Sequence, residues 1–234
     1  MRLSLGKKVF RLKRLLFLLI FIGLMISIMH WIVNTLSSED NVSPMCETTP
    51  EIKVKMVDLL SRITNILESM NISYFLCYNS LWGALKVNGP LKWDSNLDIC
   101  LLNEQISNYE EAFLIKSFKR QKMHLSYQAS DGIYLVNLQS DGEMPSAKLY
   151  LFEEDVSVNK YRRVGWKNRL IPLNSCELVH CFPASLIATP LPKEKFMNFD
   201  VPIPRESVEI QKYLFPNNWW EEIGPKNCRQ DDEN

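Results

Sequence analysis

Residues 15–33 read LLFLLIFIGLMISIMHWIV, nineteen positions without Lys, Arg, Asp or Glu, and this run limits what the chain can be. An α-helix needs about 20 mostly apolar residues to cross the hydrocarbon core of a bilayer, and it satisfies its backbone amides within its own segment. A cleaved signal peptide has a shorter apolar region, about 7–15 residues, with small residues at the cut. Here the run is longer, and Asn34, Thr35 and Leu36 follow it. The sequence therefore predicts an uncleaved membrane anchor. Arg2, Lys7, Lys8, Arg11, Lys13 and Arg14 precede it with no acid among them, while Glu39 and Asp40 follow it. Positive flanks stay cytoplasmic. The expected layout is a cytoplasmic tail at 1–14, an anchor at 15–33, a polar stem at 34–48, one lumenal domain at 49–225 and a flexible tail at 226–234. Such a chain is a single-pass type II membrane protein.

The formal net charge is zero, but with six bases at the front the remainder is acidic. No basic stripe with interleaved aromatics appears there, so nucleic acid is not an expected partner. All six cysteines (Cys46, Cys77, Cys100, Cys176, Cys181 and Cys228) lie beyond the apolar run, on the side where disulfides persist. Their pairing stays open at this level. Cys77 and Cys100 fall on two runs expected to be neighbouring strands, and read as buried thiols or a structural pair. No C-x-x-C occurs, and His124 and His180 stand alone, so a zinc site is not expected. Asn71-Ile72-Ser73 is a glycosylation acceptor that a lumenal position would expose; Asn41-Val42-Ser43 is another, followed by Pro44.

Thr49-Pro50-Glu51 opens a helix, with a hydroxyl to cap it, a proline where no N–H is needed and an acid at the positive end of the dipole. Met56, Leu60, Ile63, Leu67 and Met70 then give it one apolar face. Strands are expected at 73–78, 97–102, 123–128, 132–139 and 147–153, and helices at 110–117 and 207–214. Aromatics and prolines dominate after residue 160, which reads as an irregular lobe wrapped on the sheet. The fold class is α+β.

Candidate chemistry lies in residues 79–102, NSLWGALKVNGPLKWDSNLDICLL. Asp94, Asn96 and Asp98 are two apart, so on a strand they share a face. Oxygen donors gathered this way suit Mg²⁺ or Mn²⁺, which bind carboxylates and substrate phosphates together. Upstream, Ser80-Leu81-Trp82-Gly83 follows a strand and opens a short helix, a turn small enough for backbone N–H groups to approach phosphate oxygens. Alternating polar residues are also the ordinary solvated face of a strand. The whole pattern is what favours a site.

That pattern resembles the LicD/fukutin family signature, in which a Gly-Thr-Leu-Leu-Gly-like turn leads through an Arg and a Gly-containing link to Pro-Trp-Asp-x-Asp-x-Asp. Leu81, Gly83, Gly89, Trp93, Asp94 and Asp98 match in identity and spacing, and Lys86 stands where Arg is frequent. Residues 147–152 resemble a later strand ending in Leu-Asp-hydrophobic-Phe, and the stretch through Pro202-Ile203-Pro204 to Tyr213 and Trp219 resembles the family's ending. The resemblance implies a nucleotidyltransferase-like mixed sheet with flanking helices. It also implies transfer of phosphocholine or a polyol phosphate from a CDP-activated donor to a glycan acceptor, using Mg or Mn, in the Golgi or endoplasmic reticulum. Asp94, Asp98 and Asn96 would be the catalytic set, with Asp94 and Asp98 the metal ligands. Ser80, Gly83, Lys86, Trp93 and Tyr150 would bind substrate, and Lys86 or Arg162/Arg163 would steady the diphosphate.

The departures fall on the chemistry. Asn96 and Tyr150 occupy positions where the family has Asp, Asn79 replaces a Gly and Lys92 a Pro. Two lost carboxylates weaken a dication site, since a charge pair is worth about 4 kcal/mol at an effective dielectric near 20. Two readings stay open at this level. One is a membrane-anchored transferase-like protein with weakened or lost catalysis. The other is a non-catalytic pseudoenzyme that binds or scaffolds a partner transferase.

Overall fold

The computed structural model describes residue 14 and residues 17–30, 46–139, 144–169, 179–221 and 224. The chain divides into two units, Met1–Ser43 and Pro44–Asn234. In the first, residues 17–30 are helical and exposed. Among the described residues no helix is long and apolar enough to cross a membrane. Positions 15–16 and 31–33 of the expected anchor lie outside the described residues, as do Asn41, nearly all of the stem and the tail from 226.

The second unit begins with α1 (Pro50–Ser69). Thr49 caps it, its Oγ1 accepting from the Ile52 N–H at 3.4 Å, and Pro50 sits in the first turn, as the sequence predicts. Ile52, Met56, Leu59, Leu60, Ile63 and Leu67 form its buried stripe. It stops because Asn71 turns left-handed (φ 54°), which lets the Ile72 N–H reach back to the Leu67 carbonyl at 2.9 Å. The glycosylation acceptor Asn71 is thus the exposed residue just past the end of α1.

Strands β1 (Tyr74–Leu76), β2 (Asn96–Leu102), β3 (Met123–Gln128), β4 (Ile133–Leu138) and β5 (Ser146–Asp155) make a sheet in the order β1-β2-β5-β4-β3. The β2–β5 pair is parallel and the other neighbours are antiparallel. Helix α2 (Tyr78–Val87) follows β1 directly. Helices α3 (Asn103–Ile106) and α4 (Glu111–Arg120) lie in the crossover from β2. Leu97, Ile99 and Leu101 of β2 and Ala147, Leu149 and Leu151 of β5 are buried and belong to the main core, and α1 contacts both strands and α4. Residues 96, 98, 146, 148 and 150 therefore share the opposite face, where the candidate chemistry lies. Cys77 and Cys100 are joined in a disulfide, which settles them as a structural pair; Cys46 and Cys181 are disulfide-bonded as well.

After residue 160 the expected irregular lobe holds regular pieces. Strand β6 (Lys160–Arg163) extends the sheet from β5, and β7 (Cys181–Pro183) pairs with β6. Helix α5 (Trp166–Arg169) is a single turn. Strands β8 (Lys193–Phe196) and β9 (Phe199–Pro202) form a separate hairpin, and α6 (Ser207–Leu214) lies where expected. The prolines that hid these strands sit at their ends, Pro183 closing β7 and Pro202 closing β9, where no ladder donor is lost. The hairpin turn uses Met197 and Asn198, both at positive φ, without the glycine that usually announces such a turn.

One glycine fixes how α2 seats. A Cβ on Gly83 would lie 2.2 Å from the Gly89 carbonyl oxygen, whereas one on Gly89 would meet nothing nearer than 3.9 Å. Gly83→Ala should destabilise the domain by roughly 1–3 kcal/mol through this backbone clash, while Gly89→Ala should be close to neutral. Thermal unfolding of both variants checks the pair, and equal melting temperatures would contradict the packing described.

Candidate functional site

Strand β2 projects Asn96 and Asp98 to one side, and Asp94 joins them from the turn before the strand. Its Oδ1 accepts from the Asn96 backbone N–H at 3.0 Å, which turns the carboxylate toward the same space. Thr48 supports this turn by donating its hydroxyl to the Asp94 carbonyl at 3.1 Å. Asp94, Asn96, Asp98 and Tyr150 all line one pocket of about 260 Å³. The convergence expected from the spacing of residues 94, 96 and 98 is present in the structure.

Asp98 is 6% exposed and its surroundings are defined atom by atom. Its backbone N–H donates to Ser80 Oγ at 2.8 Å. Its Oδ2 accepts from the Asn79 N–H in the first turn of α2 at 3.3 Å, and its Oδ1 from the Tyr150 hydroxyl at 3.1 Å. Tyr150 therefore stands where an acid on β5 would face the site, and its phenol is pushed up by burial and then by Asp98, so it stays protonated. Asn96 accepts the Ser146 hydroxyl through Oδ1.

Four groups that sequence reasoning did not bring together complete the pocket. Lys148 lies on β5 with its Cα directly opposite that of Asp98. Arg163 of β6 lines the pocket with its guanidinium 4.8 Å from the centre of the Tyr150 ring. Arg162, next to it, turns away and pairs with Glu153 at 3.1 Å. Of the two arginines considered for the diphosphate, only Arg163 lines this pocket. The fourth wall carries Tyr78, whose hydroxyl shares a hydrogen bond of 3.0 Å with His180 Nδ1. Burial first, and Arg163 second, push His180 down to about 4, so it is neutral at pH 7. Alternation on β5 would have found Lys148 once Tyr150 was placed. Arg163 and His180 had no such signal, because β6 and β7 were not recognised as strands.

Four expected substrate residues, Ser80, Gly83, Lys86 and Trp93, lie outside the pocket lining. Ser80 is buried and serves Asp98, and Gly83 packs on Gly89. Lys86 is exposed with its ammonium 4.6 Å over the Trp82 ring. Trp93 is half-buried, and a Cβ on Gly224 would lie 3.4 Å from its ring.

A protein-family model for the LicD/FKTN/FKRP nucleotidyltransferase domain matches residues 71–206, more than half of the chain. The chain belongs to the LicD/FKTN/FKRP family. No curated protein matches it. The matched segment contains β1, α2, the Asp94–Asp98 turn and strand, and β5 to β9, so every acid and base that lines the pocket falls within it.

Family kinship implies a divalent cation, and the donor set can be compared with that need. Among the described residues no three His, Cys, Asp or Glu side chains gather at one point, which leaves Asp94 and Asp98. Two carboxylates plus substrate phosphates are a usual shell for Mg²⁺. Asp94 Oδ2 is buried and has no hydrogen-bond partner among the described residues. Burial, and then repulsion from Asp98, push the Asp94 carboxyl up to about 7. Burial pushes Asp98 up to about 6, against the lowering pull of Lys148 and the Tyr150 hydrogen bond. An unpartnered buried oxygen beside a second acid is where a cation would be stabilised, so the pair fits the group at reduced ligand count.

Both shifts are upward, so each carboxyl keeps a proton in the folded chain that it has lost in the unfolded one. The pair's contribution to stability is therefore greatest below the unfolded value of 3.8 and declines as pH rises towards about 7. Asp94→Asn should remove most of that decline, stabilising the domain above pH 7 by on the order of 2–4 kcal/mol and changing little near the unfolded pKa. Metal-free melting curves across this window decide it; parallel curves for both proteins would show that Asp94 ionises freely.

Proposed function

We propose that the domain holds the phosphates of a nucleotide-activated donor in the Asp94–Asp98 pocket and is a phospho-sugar transferase-like protein with weakened or lost catalysis. Phosphocholine and polyol phosphates are the groups the family kinship suggests, with a glycan as acceptor. The observation that carries the reading is the unpartnered, buried Oδ2 of Asp94, a residue that lines the same pocket as Lys148 and Arg163. A pocket with two acids and two fixed bases suits a phosphate that arrives with a cation, and suits a neutral sugar poorly.

Asp94 and Asp98 would hold Mg²⁺ or Mn²⁺. That ion supplies charge neutralisation on a phosphoryl group and a template for its orientation. Lys148 and Arg163 would take phosphate oxygens directly, Arg with the planar fork that matches them. Tyr78, Tyr150 and Phe215 wall the pocket and limit water. Weakened catalysis rests on Tyr150. Its hydroxyl already occupies Asp98 Oδ1, and it brings no negative charge where the family has a carboxylate.

The same tyrosine favours a second reading, in which the fold is kept as a non-catalytic partner of an active transferase. Residues 15–33, with the basic flank before them, support a type II anchor in the Golgi or endoplasmic reticulum, and the exposed Asn71 supports lumenal glycosylation. Resistance of the full chain to carbonate extraction checks the anchor. A glycosidase-sensitive gel shift, absent in Asn71→Gln, checks the orientation.

CDP with Mn²⁺ should raise the melting temperature of the protein, by the equivalent of about 2.7 kcal/mol when ligand exceeds Kd a hundredfold. Asp98→Ala should abolish the shift. The double variant Asn96→Asp/Tyr150→Asp should bind Mn²⁺ roughly tenfold tighter or better. If no nucleotide shifts the melt with or without metal, the donor pocket is wrong and the scaffold reading stands in its place.

A further inference from the structure

From Ala112 to Ser130 the chain carries no acid, while Lys116, Lys119, Arg120 and Lys122 fall close together within it. The chain beyond the apolar run is otherwise acidic, so this stretch is a local reversal of charge. Lys116, Lys119 and Arg120 lie on α4 at spacings of three and four, which puts them on one helix face. Lys122 follows in the turn into β3, and all four are exposed. Helix α4 packs on α1 and β3, and none of the four bases lines the Asp94–Asp98 pocket. A fifth base, Arg62 of α1, reaches the same corner by donating to the Gln121 carbonyl at 2.8 Å.

Two features set this corner apart. Arg162, Lys167, Arg169, Lys195 and Lys212 are each engaged by an acid, at 2.8–3.2 Å. Lys116, Lys119, Arg120 and Lys122 have no acid partner among the described residues. Asp58 on α1 is already paired with Arg62 at 2.7 Å, and Leu138 and Asn137, opposite the start of β3, are uncharged. The second feature is the backbone of Lys122, which is left-handed (φ 57°) where glycine or asparagine is the usual residue after a helix. The helix dipole accounts for bases in the last turn, Lys119 and Arg120. It does not account for Lys116 one turn earlier, nor for a lysine in the strained turn. Positive charge is kept here against the conformational preference of the chain.

We infer that this corner docks a linear polyanion of the sulfated-polysaccharide class. Clustered bases without acid partners bind such a chain by displacing its condensed counterions, and Arg120 adds a planar fork suited to oxyanions. Short segments this rich in Lys and Arg are a general mark of polyanion sites. Phe118 is buried, so the exposed surface from 116 to 122 carries no aromatic anchor. A protein partner needs such an anchor at the centre of its interface, and a lipid surface needs apolar side chains to take up. A saccharide chain with sulfates along its length needs neither. The corner is separate from the donor pocket, so the inference stands whether or not that pocket binds a nucleotide.

Calorimetry of the full chain in neutral detergent with a heparin octasaccharide, repeated across a salt series, tests this. Wild type should bind at about 0.15 M salt, with affinity falling steeply as salt rises. Lys119→Gln/Arg120→Gln should weaken binding roughly tenfold and lower the log–log salt slope by about two. Lys122→Gly should weaken it roughly threefold without lowering the melting temperature, because glycine suits the left-handed turn. That variant keeps the proposal open to refutation should the double variant fold poorly. Lys193→Gln/Lys195→Gln, on the β8 strand, should leave affinity within about twofold. No binding by wild type, unchanged affinity in both corner variants, or an equal loss from the β8 variant overturns the proposal. Equal or tighter binding to poly-glutamate, or to phosphatidylserine–phosphatidylcholine vesicles, overturns it too, and assigns the corner to an acidic protein or to a lipid surface.

Discussion

The carboxylate of Asp98 is the point on which this site depends. Three chain segments meet at this residue: α2, whose Asn79 N–H donates to the carboxylate and whose Ser80 Oγ accepts from the Asp98 N–H, β5, whose Tyr150 hydroxyl donates to the carboxylate, and β2 itself. A buried acid with those partners locks the helix start against the sheet edge. Gly83 completes the lock one turn later, because only a residue without a Cβ lets α2 approach the Gly89 carbonyl. The disulfide between Cys77 and Cys100 closes the same corner from the other side of Asn79. Position and rigidity of the pocket follow from this corner rather than from the pocket's own lining.

Charge is arranged around the corner with a purpose that apolar packing does not explain. Two acids less than one-tenth exposed lie together, both with raised pKa, and they are balanced by Lys148 and Arg163 across the pocket. Such an arrangement costs stability, since each charge loses hydration on burial. Groups of this kind are typical of functional sites, where perturbed ionisation serves a ligand. Tyr150 alters the balance without dismantling it. It keeps a hydrogen bond to Asp98 where an acid would have added repulsion, so the site is electrostatically quieter than a three-carboxylate centre.

Local signals were legible wherever a segment's own residues decide its shape. The Thr49-Pro50-Glu51 start and apolar stripe of α1, the strand at 123–128 and the helix at 207–214 fall where the sequence places them. Family kinship was legible too, because the 81–98 pattern is contiguous. The strands at 160–163, 181–183 and 193–202 were not, since they are short, carry charges or end in proline, and are strands only because a neighbour pairs with them. Losing β6 also lost the distinction between Arg162, which pairs with Glu153, and Arg163, which lines the pocket. Adjacent residues on a strand face opposite ways, so the assignment of one arginine waited on recognising the strand.

The sequence alone determined the α+β class, the kinship, and the shared face of Asn96 and Asp98, because each rests on spacing along a few consecutive residues. Tertiary structure decided what those residues meet: Lys148 opposite Asp98, and His180 against Tyr78. Those partners are separated by tens of residues in the chain, and no local period encodes their encounter. Burial decided the rest. A carboxyl's proton affinity depends on how much water its neighbours exclude, and only the assembled corner around Asp98 sets that.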